Sequence, residues 1–172
     1  MTRVLAETLV RSGRINDAEK ILRSAVVRAP SDKILNLAFA KILIEMDETA
    51  HHEAILMHLR RSFSDGDSNY DARFYYARCN LLYGDLVRGK QEFEALRKPY
   101  IKSRDKVRDV VKAVDGTNRH YSGKLLSKQA GYGFVMSPEL RFNAFLSKTS
   151  MDTEVWDQTL KGSAIRFSLG FN

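Results

Sequence analysis

AGYGFV, at residues 130–135, sets two aromatic side chains between glycines. Tyr132 and Phe134 are two positions apart, and residues two apart in a β-strand lie on the same face. The stretch therefore predicts a strand that carries two neighbouring rings on one side of a sheet. Two interpretations are open: the rings form a platform for nucleic-acid bases, or they line the inside of a small barrel.

The residues around this stretch have the pattern of further strands. Gly and Pro punctuate HYSGKLLSKQAGYGFVMSPEL, and RFNAFLSK and SAIRFSLGF contain short or alternating apolar runs. We expect strands near residues 120–128, 131–138, 142–148 and 163–169. The polar stretch TNRHYS marks the boundary, so residues 117–172 are predicted to form a small all-β module.

The chain before this module has the periodicity of helices. Apolar residues recur at spacings of three and four through residues 2–96, with polar or glycine-containing breaks between the runs. This pattern predicts six helices that pair into three hairpins. The chain therefore divides into a helical part at residues 1–98, a basic capping helix or linker at 99–116 and the β module at 117–172, an α-then-β fold class.

A basic segment joins the two parts. RKPYIKSRDKVRDVVK, at residues 97–112, holds seven Lys or Arg against two Asp, so it carries +5 of the net charge of +7. Within it, residues 103–115 are predicted to form one more helix with four valines on one face. Its polar face is either solvated or directed at phosphates. The cations of this patch are Lys102, Arg104, Lys106, Arg108 and Lys112.

The helical part resembles the tetratricopeptide-repeat family. In LAETLVRSGRINDAEKILRSAVVRAP and in ARFYYARCNLLYGDLVRGKQEFEAL, a glycine is followed five residues later by a small residue and nine residues later by a large apolar one. The middle pair, at residues 33–63, departs from this pattern. The resemblance covers residues 2 to about 96 and implies a helical solenoid whose groove binds a protein partner or another copy of the chain.

The β module resembles the cold-shock domains. GYGFV, at residues 131–135, matches the core of the RNP1 motif, NAFLSKT at 143–149 takes the place of its partner motif, and LKGSAIRF at 160–167 is similar to a later strand of that family. The resemblance implies an OB fold that stacks the bases of single-stranded RNA or DNA on exposed rings. The residues on the family's stacking positions are Tyr132, Phe134 and Phe145.

The module also departs from the cold-shock pattern. Leu126, Ser127 and Lys128 replace an expected Trp-Phe pair, and Ser147 and Lys148 replace a histidine and an aromatic residue. With fewer rings and more lysines, we expect binding that depends less on the bases and more on salt than in the family. The cations assigned to this interface are Lys124, Lys128, Arg141 and Lys148.

The sequence is expected to be a fragment. A cold-shock fold needs five strands, and four are predicted before Asn172, so the fifth is expected beyond it. At the other end, Thr2 already adjoins a repeat helix. Repeats followed by such a module resemble the C-terminal part of large bacterial multidomain sensors of the STAND type. That resemblance implies a recognition arm whose motor or effector lies upstream.

Other functions find little support in the sequence. Neither a phosphate loop nor a nucleophile elbow is present, so no enzyme activity and no cofactor are predicted. His51, His52 and His58 are expected to be solvated rather than metal-binding, and Cys79 is expected in a helix core. One cysteine and no long apolar run predict a reducing cytoplasm and no membrane association.

Two functions therefore remain open. In the first, the β module binds single-stranded nucleic acid through its rings and cations. In the second, the chain is a protein-interaction scaffold, in which the repeat groove holds the partner and the barrel is a structural cap.

Overall fold

The computed structural model describes residues 1–66, 69–97 and 107–171. The chain divides into two compact units. The helical unit contains the described residues of Met1–Arg108 together with Ala113–Gly116, and the β unit contains Asp109–Lys112 and Thr117–Phe171. Helices followed along the chain by an antiparallel sheet confirm the predicted order of the fold.

Six α-helices form in the described residues of the helical unit, as the sequence predicted. They are α1 (Thr2–Arg11), α2 (Ile15–Arg28), α3 (Lys33–Asp47), α4 (His52–Arg61), α5 (Tyr70–Leu82) and α6 (Leu86–Leu96). Asp32 and Asp85 cap α3 and α6, because each carboxylate accepts hydrogen bonds from two backbone N–H groups of the first turn. Among the described residues, none of the helices combines the length and the apolar character that a bilayer crossing requires.

Small residues let consecutive helices approach closely. Each helix packs mainly against its neighbours in the chain, and Ala6, Ala18 and Ala77 are almost completely buried. At Gly89, a Cβ atom would lie 2.9 Å from the side chain and the backbone nitrogen of Leu81. The small positions of the repeat pattern are therefore contact positions between helices.

A charged pair lies inside the helical unit. Arg78 of α5 donates from Nη1 and Nη2 to the two carboxylate oxygens of Glu48, the second at 2.9 Å, and both side chains are buried. Cys79 is buried beside them, which confirms its expected core position. Burial, and next the neighbouring Glu48 carboxylate, raise the pKa of the Cys79 thiol well above its usual value.

A histidine is also buried in this unit. His58 is 6% exposed and its Nδ1 lies 2.8 Å from Oδ1 of Asn36, whose amide nitrogen donates to the carbonyls of Pro30 and Asp32. Since the Asn36 oxygen is therefore the acceptor, His58 Nδ1 carries the proton. The expectation that His58 is solvated is wrong, because its partner comes from α3, 22 residues earlier.

The β unit is built on a curled, four-stranded antiparallel sheet. Its strands lie in the order β4-β3-β2-β5, and each lies within its predicted range. They are β2 (His120–Lys128), β3 (Tyr132–Met136), β4 (Ala144–Ser147) and β5 (Ala164–Ser168). A 3₁₀ turn (Lys148–Ser150) and α7 (Thr153–Gln158) connect β4 to β5.

A second, two-stranded sheet corrects one prediction. β1 (Asp109–Val110) pairs with β6 (Gly170–Phe171), and Lys112 forms a bridge with Asn118. The helix predicted over residues 103–115 is therefore wrong from residue 107 onward, while residues 98–106 lie outside the described residues. The cause is the run of valines: they are spaced as a helix face, but β-branched side chains favour strands.

A β-bulge in β2 decides which face its last residues occupy. Leu125 pairs with Val135, but Ser127 pairs with Phe134, so Leu126 is an extra residue with no partner of its own in β3. The inner face of the sheet holds the buried cluster Leu125, Val135 and Ile165. We call the opposite side the outer face. Residues directly opposite each other share a face.

Candidate nucleic-acid interface

The aromatic residues of AGYGFV lie on the outer face. Along β3 the side chains alternate: Tyr132 is 43% exposed, Phe134 is 37% exposed, and Val135 between Phe134 and Met136 is buried. The interpretation of Tyr132 and Phe134 as the inner wall of a barrel is therefore wrong. The inner wall at this strand is made by Gly133 and Val135.

The neighbouring strand adds a third ring. Phe145 of β4 lies directly opposite Phe134 and is 63% exposed. The ring of Tyr132 stacks near that of Phe145, with centroids 5.6 Å apart and planes 24° apart. Phe134 meets both rings edge-on, at 6.0 Å from Tyr132 and 5.9 Å from Phe145. We call Tyr132, Phe134 and Phe145 the aromatic face.

The aromatic face is held in place by contacts among its own rings and by the sheet register. Such offset and edge-on pairs are favourable at these separations. The rings nevertheless keep large exposed areas, and exposed Met136 continues the apolar surface along β3. A contiguous exposed apolar patch of this kind is typical of a binding surface.

The two glycines of AGYGFV have different roles. A Cβ atom at Gly133 would lie 2.6 Å from the backbone oxygen of Ser127 and 3.0 Å from the Leu125 side chain. At Gly131 a Cβ atom would meet nothing within 4 Å. Gly133 is therefore required by the close approach of β2 and β3 on the inner face, and Gly131 is not.

Lys128 has a structural role instead of the predicted phosphate contact. The bulge places it opposite Gly133, on the inner face. Its ammonium donates to the carbonyls of Trp156, Asp157 and Thr159 at 2.6, 3.2 and 2.8 Å, and it lies 5.3 Å from the centre of the buried Trp156 ring. An ammonium has three hydrogens, so Lys128 is not part of the candidate interface.

Ser147 and Lys148, the two replacements in the partner motif, also have partners within the β unit. Lys148 forms an ion pair with Asp157 at 3.0 Å. Ser147 lies opposite Tyr132, and its hydroxyl accepts a hydrogen bond from the Thr149 backbone N–H. Lys148 therefore contributes little net positive charge to the interface.

The remaining predicted cations are distributed over both units. Lys124 and Arg141 are exposed in the β unit, and Lys112 donates to the Asn118 side chain at 2.6 Å. Arg108 is exposed in the helical unit. The predicted cations Lys102, Arg104 and Lys106 lie outside the described residues.

Arg166 is a cation that the sequence-based assignment missed. It is exposed on β5, between inward-facing Ile165 and Phe167. The alternation in AIRF contains this information, because a strand that buries Ile165 and Phe167 must direct the residue between them outward.

A cavity of about 260 Å³ lies in the helical unit between α1, α2 and α3. Its floor is apolar and includes Ala6, Leu22 and Ile42. Its rim carries charges of both signs, and burial raises the pKa of the Glu45 carboxyl although Lys41 opposes the shift. The rim charges are partly neutralised, since Arg3 pairs with Glu7 at 2.7 Å and Lys41 with Asp71 at 2.9 Å.

Metal binding has no candidate ligand set in the part of the chain that the structure describes. Three or more His, Cys, Asp or Glu side chains do not gather at any point among these residues. In comparisons with known proteins, no protein-family model, no curated protein and no solved structure matches this chain.

Proposed function

We propose that the β unit binds single-stranded RNA or DNA, with bases stacked on the aromatic face and phosphates held by nearby cations. The observation that carries this proposal is the exposure of three mutually contacting rings, Tyr132, Phe134 and Phe145, on one side of an open sheet. Every nucleobase has a π-face, so such rings bind single strands with little sequence preference.

The strand order supports an OB-type, cold-shock-like identity for this unit. The first strand of its four-stranded sheet pairs with both the second and the fourth, and the second pairs with the third. OB folds bind oligonucleotides on the face of their second and third strands. The aromatic face lies on the corresponding strands, β3 and β4.

The charge of the β unit is compatible with this ligand. Residues 117–171 contain seven Lys or Arg against four Asp or Glu. A positive surplus of this size attracts a polyanion without fixing a sequence. We propose a recognition role without catalysis, in which tetratricopeptide-like repeats carry the barrel as one arm of a larger sensor.

Fluorescence anisotropy with a labelled 12-nucleotide single strand at low salt tests the proposal. Wild type is expected to bind in the micromolar range, and Tyr132→Ala and Phe145→Ala to weaken binding at least fivefold each, since a stacked base contributes about 1–3 kcal/mol. Leu160→Ala is the control, because Leu160 is an exposed apolar residue outside the aromatic face. Absence of wild-type binding, or equal loss in the control, would overturn the proposal.

A second candidate function rests on the cavity between α1, α2 and α3. Its apolar floor and charged rim fit a peptide segment of a protein partner or of another copy of the chain. Ala38→Trp would fill this cavity and leaves the sequence of the β unit unchanged. If the chain is a protein-interaction scaffold, this variant abolishes capture of the partner, while Tyr132→Ala leaves capture unchanged.

A further inference from the structure

Two cations share the outer face with the aromatic rings. Lys124 of β2 lies opposite Met136 of β3, which is two residues from Phe134 and therefore on the same face. On its other side Lys124 lies opposite Ala164 of β5, and Arg166 lies opposite Ser122. Lys124 and Arg166 are thus diagonal neighbours on the outer face, within reach of one another for long side chains.

These two side chains differ from the other cations considered for the interface. Among the described residues, neither the Lys124 ammonium nor the Arg166 guanidinium has a hydrogen-bond or ion-pair partner. By contrast, the Lys128 ammonium donates to carbonyls of α7 and of the residue after it, and Lys148 forms an ion pair with Asp157. The nearby acid Glu139 lies 3.8 Å from Arg119.

Their arrangement has a cost in the free protein. Like charges on neighbouring strands repel one another, and no described carboxylate pairs with either of these two. A phosphate placed between them would convert that repulsion into two attractive, charge-assisted contacts.

The register also fixes where the cations lie relative to the rings. Neighbouring strands are about 4.8 Å apart, so Arg166 on β5 and Phe145 on β4 are separated by three strand spacings, or about 14 Å, across the sheet. They are also offset along the strands, because Arg166 lies opposite Ser122 while Phe145 is level with Ser127. Lys124 lies beside the Met136 end of β3, and Tyr132 lies at the opposite end. The outer face therefore has a charged side on β2 and β5 and an aromatic side on β3 and β4.

We infer that Lys124 and Arg166 hold the phosphates of a single-stranded nucleic acid that crosses the sheet from β5 toward β4. The backbone of the strand enters over this cation pair, and the following bases stack on the aromatic face. This inference rests on the proposed function. It assigns the salt dependence of nucleic-acid binding to Lys124 and Arg166 instead of Lys128 and Lys148.

The salt dependence of binding tests the inference. A contact with one phosphate of a single strand contributes about 0.7 to the slope of log affinity against log salt. Lys124→Gln with Arg166→Gln is expected to reduce the slope by about 1.4, so the affinity lost between 50 and 200 mM salt falls by about sevenfold. The loss at low salt is expected to be equal for dT12 and dA12.

Three further variants make the result specific. Lys20→Gln with Arg28→Gln removes the same charge from exposed positions of the helical unit, and it is expected to leave the slope unchanged. Lys124→Arg with Arg166→Lys changes both positions but keeps their charge, and it is expected to keep the wild-type slope. It therefore separates the loss of charge from any effect of these positions on folding. Tyr132→Ala is expected to lower affinity at every salt concentration with the wild-type slope.

The outcomes separate the inference from the proposed function. If wild type binds through Tyr132 but the Gln pair keeps the wild-type slope, the inference is wrong and the proposed function stands. If the Gln pair and its helical control change the slope equally, net charge alone is responsible, and the inference is also wrong. If wild type binds neither oligonucleotide at 50 mM salt, the proposed function fails and the inference fails with it.

Discussion

Arg78 binds both carboxylate oxygens of Glu48 although the two residues are 30 positions apart in the chain. This pair ties the end of α3 to the middle of α5 inside the helical core. Because both side chains are buried, removing one partner leaves an uncompensated charge. We expect Arg78→Met or Glu48→Leu alone to lower the free energy of unfolding by about 3–5 kcal/mol.

The double variant distinguishes the ion pair from the packing around it. Arg78→Met with Glu48→Leu removes both charges, and such replacements are often close to neutral. Urea unfolding followed by helical circular dichroism measures all three variants. A double variant as unstable as the sum of the single variants would show that packing, not charge pairing, dominates this position.

His58 predicts a pH dependence of stability. Burial, and next the charges of Arg61 and Arg23, lower the pKa of the His58 imidazole in the folded protein. The unfolded chain then binds the proton first as the pH falls, so the contribution to stability is complete above about pH 6.5 and is lost below it. The slope for one proton is at most about 1.4 kcal/mol per pH unit.

Comparison with His58→Gln isolates this contribution. The glutamine amide can still donate to Asn36 but does not titrate. The difference in unfolding free energy between wild type and the variant is expected to fall as the pH is lowered from 7 to 5. A difference that stays constant over this range would contradict the assignment.

Gly133 and Gly131 form a matched pair of substitution sites. A methyl group at Gly133 must displace the backbone of Ser127, and we expect Gly133→Ala to destabilise the β unit by about 1–3 kcal/mol. Gly131→Ala has open space and is expected to have little effect. Trp156, the single tryptophan of the chain, is buried in the β unit, so its fluorescence reports unfolding of that unit.

Lys128 is expected to stabilise the β unit without contributing to ligand binding. Lys128→Met keeps the aliphatic stem but removes three hydrogen bonds to backbone carbonyls, two in α7 and one just after it. We expect a loss of about 2 kcal/mol in the Trp156-monitored unfolding, in the range for hydrogen bonds from a charged donor. The salt slope of oligonucleotide binding is expected to stay that of wild type, and a reduced slope would return Lys128 to the interface.

The sequence predicted the strands of the β unit well because its turns are marked locally by Gly and Pro. It also predicted that Tyr132 and Phe134 share a face, which follows from alternation alone. The prediction of a helix over residues 103–115 was wrong because the spacing of the valines fits a helix, while their β-branched shape favours a strand. Pairing of that segment with β6, some 60 residues later, is a tertiary effect.

The roles of the lysines could not be predicted for a different reason. Lys128 and Lys148 are near the aromatic residues in sequence, but their partners belong to α7 and the residues just after it. The position of α7 depends on the fold of the whole unit. Arg166, in contrast, was predictable, since its outward direction follows from the alternation of a strand that the sequence had already located.

The extra residue in β2 makes this strand tolerant of a change in its length. Deleting Leu126 would remove the bulge but leave Ser127 opposite Phe134 and Lys128 opposite Gly133, so Lys128 would keep its inward direction and its carbonyl partners near α7. The amino-acid charge of the chain would be unchanged. A single-codon deletion at the bulge therefore leaves the charges of the outer face as they are, whereas the same deletion in a regularly paired strand would turn every following side chain to the other face.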